Sequence, residues 1–152
     1  MPRQKIKVGD VFWVPIEDGS FVLGQIVEEQ KEVLNSITCV FFDCRVSSII
    51  DAELRFDIPI SCQFVSRELF NSGKWKRIDN LPNQIEYTFL PYRETEDNGW
   101  IGASVVGSAN ITSFLAAFYG LREWDEMYNP SYYQALLLSG VARRHYDNKG
   151  IN

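Results

Sequence analysis

The sequence has little of the chemistry on which most enzymes depend. Its 152 residues include one histidine and three cysteines. His145 lies in a polar stretch after the last apolar segment, where nothing would orient an imidazole for general acid–base catalysis. Cys39, Cys44 and Cys62 each lie in an apolar run, so we expect reduced core residues without a disulfide or a zinc ion. We therefore predict a protein that is not an enzyme and has no cofactor or metal.

Other absences narrow the class of partner. The phosphate-binding pattern G-x-x-x-x-G-K-[ST] does not occur, and no apolar run is long enough to cross a membrane. The first five residues lead into an apolar strand pattern without the hydrophobic core of a secretory signal. Twenty acidic against fifteen basic residues give a net charge of −5, which argues against nucleic-acid binding and favours a basic partner. We expect a cytoplasmic protein that binds neither nucleic acid nor membrane.

The sequence begins with a β-hairpin pattern. Two apolar, β-prone runs within residues 9–27 are joined by Asp18-Gly19, a pair suited to the positive φ angles of a tight turn. Gly24 interrupts the second run, which predicts a bulge or the close approach of another backbone. Phe12 and Trp13 are neighbours in a strand and point to opposite faces, which leaves one of them free to be exposed.

Further strands are predicted along the first two thirds of the chain. Residues 37–44 are mostly apolar, as in a strand covered on both faces. Residues 50–60 alternate between apolar and charged, which predicts a one-sided strand with an edge or break at Pro59. Shorter strands are predicted at 61–65, 75–78, 84–90 and 100–106. Between them, residues 66–73 read as one helical turn, capped by Ser66 and stopped by Gly73.

The last third changes to a helical period. Five residues share one helical face: Ile111, Phe114, Leu115, Phe118 and Tyr119. Asn110 is the predicted N-cap and Gly120 the stop, and Asn129-Pro130 predicts the start of a second helix that ends at Gly140. We predict one α+β domain over 1–152, β-rich at 5–106, helical at 110–140 and polar at 141–152. A twisted, mostly antiparallel sheet, with a barrel-like form as an option, would carry the two C-terminal helices.

Three separated motifs of turn glycines and large apolar residues follow one another along most of the chain. They are Gly9-Asp10-Val11-Phe12 with Pro15, Asp18-Gly19 and Gly24; Phe64-Val65 with Leu69, Ser72-Gly73-Lys74-Trp75 and Ile78; and Phe114-Leu115 with Tyr119-Gly120-Leu121, Trp124-Asp125, Pro130, Tyr132 and Leu136-Leu137. In order and spacing they resemble the immunity protein 26 family of bacterial polymorphic-toxin systems. The resemblance implies a protein that binds and occludes a cognate toxin encoded by an adjacent gene.

Loop carboxylates near strand ends are the candidate contacts with such a toxin, because rim charges speed association with a basic partner such as a nuclease-type domain. They are Glu28, Glu29, Glu32, Glu94, Glu96 and Asp97. Trp100, flanked by Gly99 and Gly102, is the candidate aromatic anchor, with core packing as the alternative. Trp124 is expected to pack a helix on the sheet.

A second function stays open at this point. The hairpin pattern also resembles SH3-like domains, small β-barrel modules that bind peptides or modified side chains through exposed aromatic residues. That alternative predicts a groove of exposed aromatics, whereas the immunity function predicts one tight protein partner. The sequence does not identify the toxin or the surface that binds it. It also leaves open whether inhibition is direct or allosteric and whether the chain forms a homo-oligomer.

Overall fold

A computed structural model describes residues 4–30, 35–83, 105–138 and 140–141. Six strands and three helices lie within these ranges. They are β1 (Asp10–Pro15), β2 (Phe21–Gln30), β3 (Ser36–Val46), β4 (Pro59–Val65), α1 (Glu68–Asn71), β5 (Lys76–Asn80), β6 (Val105–Val106), α2 (Ser108–Phe118) and α3 (Tyr132–Leu136). The strands form one sheet in the order β5-β1-β2-β3-β4-β6, antiparallel except for the parallel pair β4–β6. The predicted α+β class is confirmed, and the sheet is open over the described ranges.

The β1–β2 hairpin forms as predicted, with a turn that spans Ile16 to Ser20. The Ile16 N–H donates to the Ser20 carbonyl at 2.9 Å, and the Gly19 N–H donates to the Ile16 carbonyl at 3.0 Å. Gly19 takes a φ of +85°, but Asp18 does not take a positive φ, so that part of the expectation is wrong. The Asp18 side chain instead accepts the Ser20 N–H at 3.0 Å, an Asx-type contact that holds the turn.

Gly24 makes room for an aromatic ring. The register of β2 against β3 shifts between Val22 and Gly24, which confirms the predicted bulge. A Cβ at Gly24 would lie 2.5 Å from Cζ of Phe12, so the close neighbour is a ring of β1 and not another backbone. The Phe12 ring in turn stacks on Trp75, with ring centroids 5.5 Å apart. The absence of a side chain at Gly24 therefore allows the central aromatic contact of the core.

Apolar clusters lie on both faces of the sheet. One cluster joins Phe12, Phe41 and Trp75 to the buried side of α2 and to Tyr133 of α3. All five residues of the predicted helical face of α2 are buried, as expected. The second cluster lies on the opposite face and is formed by Val11, Trp13, Leu23, Val27, Val40, Phe42, Cys44, Cys62 and Phe64. Burial on both faces also confirms the reading of residues 37–44 as a doubly covered strand.

Residues 50–58 do not form the predicted strand. β3 is already paired with β2 and β4, so this segment finds no free edge beside it and crosses the second face of the sheet. The exposure of successive side chains still alternates as predicted. Ala52, Leu54 and Phe56 are half-buried against that face, while the charged residues between them are exposed. We call residues 47–58 the strap.

Pro59 marks the predicted break, because it is the first residue of β4. The expectation of an edge strand there is wrong, since β4 lies between β3 and β6. Beyond the reach of β6, the Ile60 carbonyl accepts the Leu138 N–H at 3.0 Å. That bond occupies a backbone group with which another strand would otherwise pair.

The single helical turn α1 is confirmed, and Gly73 ends the segment with a φ of +81°. Its N-cap is Arg67, so the assignment of Ser66 as the cap is wrong. The Ser66 hydroxyl binds the Glu68 carboxylate and accepts the Ser108 N–H at 2.9 Å, which ties α1 to the start of α2.

The caps of the last two helices differ from the predicted ones. α2 begins two residues before Asn110 with Gly107 as its N-cap, while its predicted stop, Gly120, has a φ of +81°. Asn129 caps the turn before α3, where its side chain accepts the Ser131 N–H at 3.0 Å. The helix then starts at Tyr132 and ends before Gly140, so the predicted end is wrong. The predicted strand at 84–90, most of that at 100–106 and the tail from 142 lie outside the described residues.

Candidate partner-binding surface

Two of the predicted contact residues, Glu28 and Glu29, lie at the end of β2. Glu28 is half-buried and pairs with Thr38 in β3, directly after a register shift. Glu29 is exposed, and its Oε1 lies 3.6 Å from Nη2 of Arg67, whose Nε donates to the Asn35 carbonyl at 2.7 Å. Exposed pairs of this kind contribute little to stability, so Glu29 remains able to meet a partner. The other predicted contacts lie outside the described residues: Glu32, Glu94, Glu96, Asp97 and Trp100.

A charged network that the sequence did not predict lies at the opposite end of β2. Arg45 of β3 forms an ion pair with Asp18, and its Nε donates to the Ser20 hydroxyl at 3.0 Å. Its guanidinium carbon lies 4.9 Å from the centre of the Tyr119 ring, and the Tyr119 hydroxyl donates to Asp43 at 2.8 Å. The Arg45 side chain is only 6% exposed, so its charge is compensated inside the fold. We call this end of the sheet, which contains Asp18, Ser20, Asp43, Arg45 and Tyr119, the hairpin end.

Protonation at the hairpin end follows from these contacts. Burial raises the pKa of Asp18, but hydrogen bonds from Ser20 and Arg45 outweigh it and lower the pKa overall. Burial and the neighbouring Asp43 carboxylate raise the pKa of the Tyr119 hydroxyl, which therefore stays protonated as a donor. At neutral pH the Asp18 carboxylate therefore accepts hydrogen bonds and the Tyr119 hydroxyl donates one.

A second arginine links the hairpin turn to the connection between α2 and α3. Arg122 lies 2.7 Å from Oε2 of Glu126 and 3.4 Å from Oε1 of Glu17. The buried Tyr133 donates its hydroxyl to Glu126 at 2.7 Å. The hydrogen bond from Arg122 is the main cause that lowers the pKa of Glu126. Glu126 is therefore bound on two sides within the fold. The Arg122–Glu17 pair is exposed and contributes little to stability.

The structure also places the aromatic residues that the sequence singled out. Phe12 and Trp13 are both buried, so the expectation that one of them is exposed is wrong. Trp124 is half-buried; its ring lies 6.0 Å from that of Phe114 in α2 and 5.8 Å from that of Tyr133 in α3, and it packs against the core cluster that these helices share with the sheet. The groove of exposed aromatics that an SH3-like module needs is therefore not built from the hairpin.

The three cysteines are free and buried, as predicted. Burial is the main cause that raises the pKa of Cys39 and of Cys62, so these thiols stay protonated and are poor nucleophiles. Within the described ranges, no three His, Cys, Asp or Glu side chains are grouped to hold a metal ion. No helix in this part of the chain is long and apolar enough to span a bilayer.

A shallow groove lies between the end of β1, α1 and the start of α2, next to the aromatic core. It has a volume of about 320 Å³ and is lined by Pro15, Leu69, Lys74, Trp75, Ala109 and Thr112. The buried core residue Trp75 is part of its lining, and Lys74 is the only charged residue in that lining. The groove is apolar and carries no arrangement of acids and bases for catalysis.

The chain was compared with protein families, curated proteins and solved structures. The searches against curated proteins and against solved structures found no match. The family model described as Immunity protein 26 matches residues 7–100, more than half of the chain. That range contains the first two of the three motifs and all of β1 to β5 with the strap. The chain belongs to the immunity protein 26 family.

Proposed function

We propose that the chain neutralises a cognate bacterial toxin of a polymorphic or contact-dependent system by binding and occluding it in the cytoplasm of the producing cell. Membership of the immunity protein 26 family, which gives the chain an immunity role, is the observation that carries this proposal. The toxin is encoded by an adjacent gene, and the mechanism is occupation of its surface, without catalysis.

The arrangement of the described residues supports a binding role. Apolar clusters on both sheet faces and the arginine networks at the hairpin end make a pre-organised body. A rigid partner loses little conformational entropy on association, so more of the contact energy appears as affinity. The buried thiols and the internally bonded carboxylates are held by the fold, so a partner meets other groups at the surface.

The net charge of −5 favours a basic toxin, such as a nuclease-type domain whose cationic residues hold phosphate. Glu28, Glu29, Glu32, Glu94, Glu96, Asp97 and Trp100 remain the predicted contacts from the sequence. Occlusion of a cationic site by carboxylates would explain inhibition without any chemical step.

Co-expression with the protein encoded by the neighbouring gene tests the function. We expect the neighbour to be toxic alone, and this chain to restore growth and co-purify with it. If the neighbour is harmless, or kills in the presence of this chain and never co-purifies, the proposal is wrong.

Charge reversal at Glu94, Glu96 and Asp97 tests the predicted loop. Association should slow much more at low salt than at high salt, because exposed charges are screened over about 8–10 Å at physiological ionic strength. Association rates that match the wild type at low salt would remove this loop from the interface.

A further inference from the structure

The strap presents an uncovered apolar surface. In the described part of the chain, three of the six large exposed hydrophobic residues lie in this one segment: Ile50 is 80% exposed, Ile58 41% and Ile49 37%. Isolated exposed aliphatic residues need no explanation, but a concentration of them marks a surface used for contact.

The strap is held in place along its inner side. The Asp43 N–H donates to the Ile58 carbonyl at 2.8 Å, and the Cys44 thiol donates to the Glu53 carbonyl at 3.6 Å. The Phe56 ring meets Phe42 edge-on, with centroids 5.1 Å apart. These contacts hold residues 53–58 against the sheet. At the other end of the strap, the Ile50 N–H donates to the Ser48 hydroxyl at 3.2 Å, and the Ile50 side chain is exposed.

Charge on the outer side selects the kind of partner. Asp51, Glu53 and Asp57 are exposed there with a single cation, Arg55, so the row has a net charge of −2. None of the three carboxylates forms an ion pair or a side-chain hydrogen bond with another described residue. This differs from Asp18, whose carboxylate is bound by Arg45. Glu53 interacts electrostatically with Arg55, and the row keeps a net negative charge. An apolar anchor beside a row of exposed carboxylates complements a basic surface with an apolar pocket.

The dimensions of the strap suit one protein interface. The nine Cα–Cα intervals of extended chain between residues 49 and 58 span at most about 30 Å. A standard interface covers about 800 Å² on each partner, which corresponds to a patch about 30 Å across. Both ends of the strap can therefore lie under the same partner.

We infer that the strap is a contact surface for the cognate toxin, with Ile50 as the apolar anchor and Asp51, Glu53 and Asp57 as partners of its lysine or arginine residues. This inference rests on the proposed function and names a surface different from the loop carboxylates predicted by the sequence.

The first test replaces the anchor. Ile50→Ser should raise the Kd for the toxin by at least about tenfold, as expected for a residue at the centre of an interface. The matched control is Ile78→Ser, since Ile78 is also exposed (38%) but lies on β5 at the end of the sheet. The control should change the Kd less than about twofold.

The second test reverses charge without touching the anchor. The double variant Glu53→Lys with Asp57→Lys should slow association about tenfold at low salt, with a smaller effect at high salt. The control is Glu123→Lys with Asp125→Lys, which changes net charge equally in the connection between α2 and α3, where both residues are exposed. All four variants should keep the wild-type Tm.

The outcomes separate this inference from the proposed function. If the wild-type chain does not bind the neighbouring protein, the proposed function fails and the strap surface fails with it. If the wild type binds and both strap variants bind equally well, the strap is not the contact surface while the function stands. An equal loss in the two charge-reversed variants would also overturn the inference, because only net charge would then matter.

Discussion

Replacement of Trp75 tests whether the aromatic cluster stabilises the fold. Its side chain is fully buried; it stacks on Phe12 at 5.5 Å and meets Phe70 and Phe41 edge-on at 4.8 and 5.8 Å. Truncation of such a residue to alanine typically costs about 3–5 kcal/mol, from lost burial and the cavity that remains. The indole N–H also donates to Thr112 at 3.3 Å. Thr112 keeps its bond to the Ser108 carbonyl, so this loss adds little.

Urea denaturation followed by far-UV circular dichroism measures the effect without relying on tryptophan fluorescence. We expect Trp75→Ala to lower the free energy of unfolding by about 4 kcal/mol. With an m-value of about 2 kcal/mol/M, the midpoint then falls by about 2 M. This loss is a large part of the total stability of a typical domain, so Trp75→Phe serves as a milder variant that keeps a ring against Phe12.

Trp124→Ala is the matched control, since Trp124 is half-buried between α2 and α3 and should cost less. A loss below about 1 kcal/mol for Trp75→Ala would refute the reasoning. So would a loss of toxin binding with normal stability, because Trp75 would then act at the interface and not in the core.

Two further predictions follow from the packing and the charges. Gly24→Ala should destabilise the protein by about 1–3 kcal/mol, because its Cβ would lie 2.5 Å from the Phe12 ring. Gly107→Ala is the control and should cost less, because its Cβ would meet nothing within 4 Å. Equal denaturation midpoints for the two variants would contradict this prediction. Asp18→Asn should cost about 1–3 kcal/mol at pH 7 by weakening the bonds to Arg45 and Ser20. Since the folded-state pKa of Asp18 is lowered, its contribution is present above the unfolded value of about 4 and is lost as the pH falls through the folded value. Denaturation midpoints at a series of pH values should therefore decline less steeply in the variant, and parallel curves would contradict the assignment.

Local patterns predicted most of the elements correctly because short-range geometry sets them. The hairpin, the bulge at Gly24 and the buried face of α2 each depend on turn chemistry or on the spacing of apolar residues along one element. The errors at helix starts have a local cause as well. The Ser66 hydroxyl is engaged with Glu68 and Ser108, and Arg67 is the N-cap of α1. Asn110 is a good capping residue, but it lies inside α2, whose N-cap is Gly107.

The sequence by itself determined the α+β class, the family and an acidic protein whose cysteines are core residues. Tertiary structure alone decided which charges are compensated and which remain for a partner. Arg122 meets Glu17 across 105 positions of sequence, and no local pattern encodes that distance. The strap is a second example, because its apolar–charged alternation is that of a strand. Both edges of β3 are already paired, so the segment lies across the face of the sheet, with its carboxylates and Ile50 exposed. Periodicity reports which side chains share a face, whereas pairing depends on which neighbouring edge is available in three dimensions.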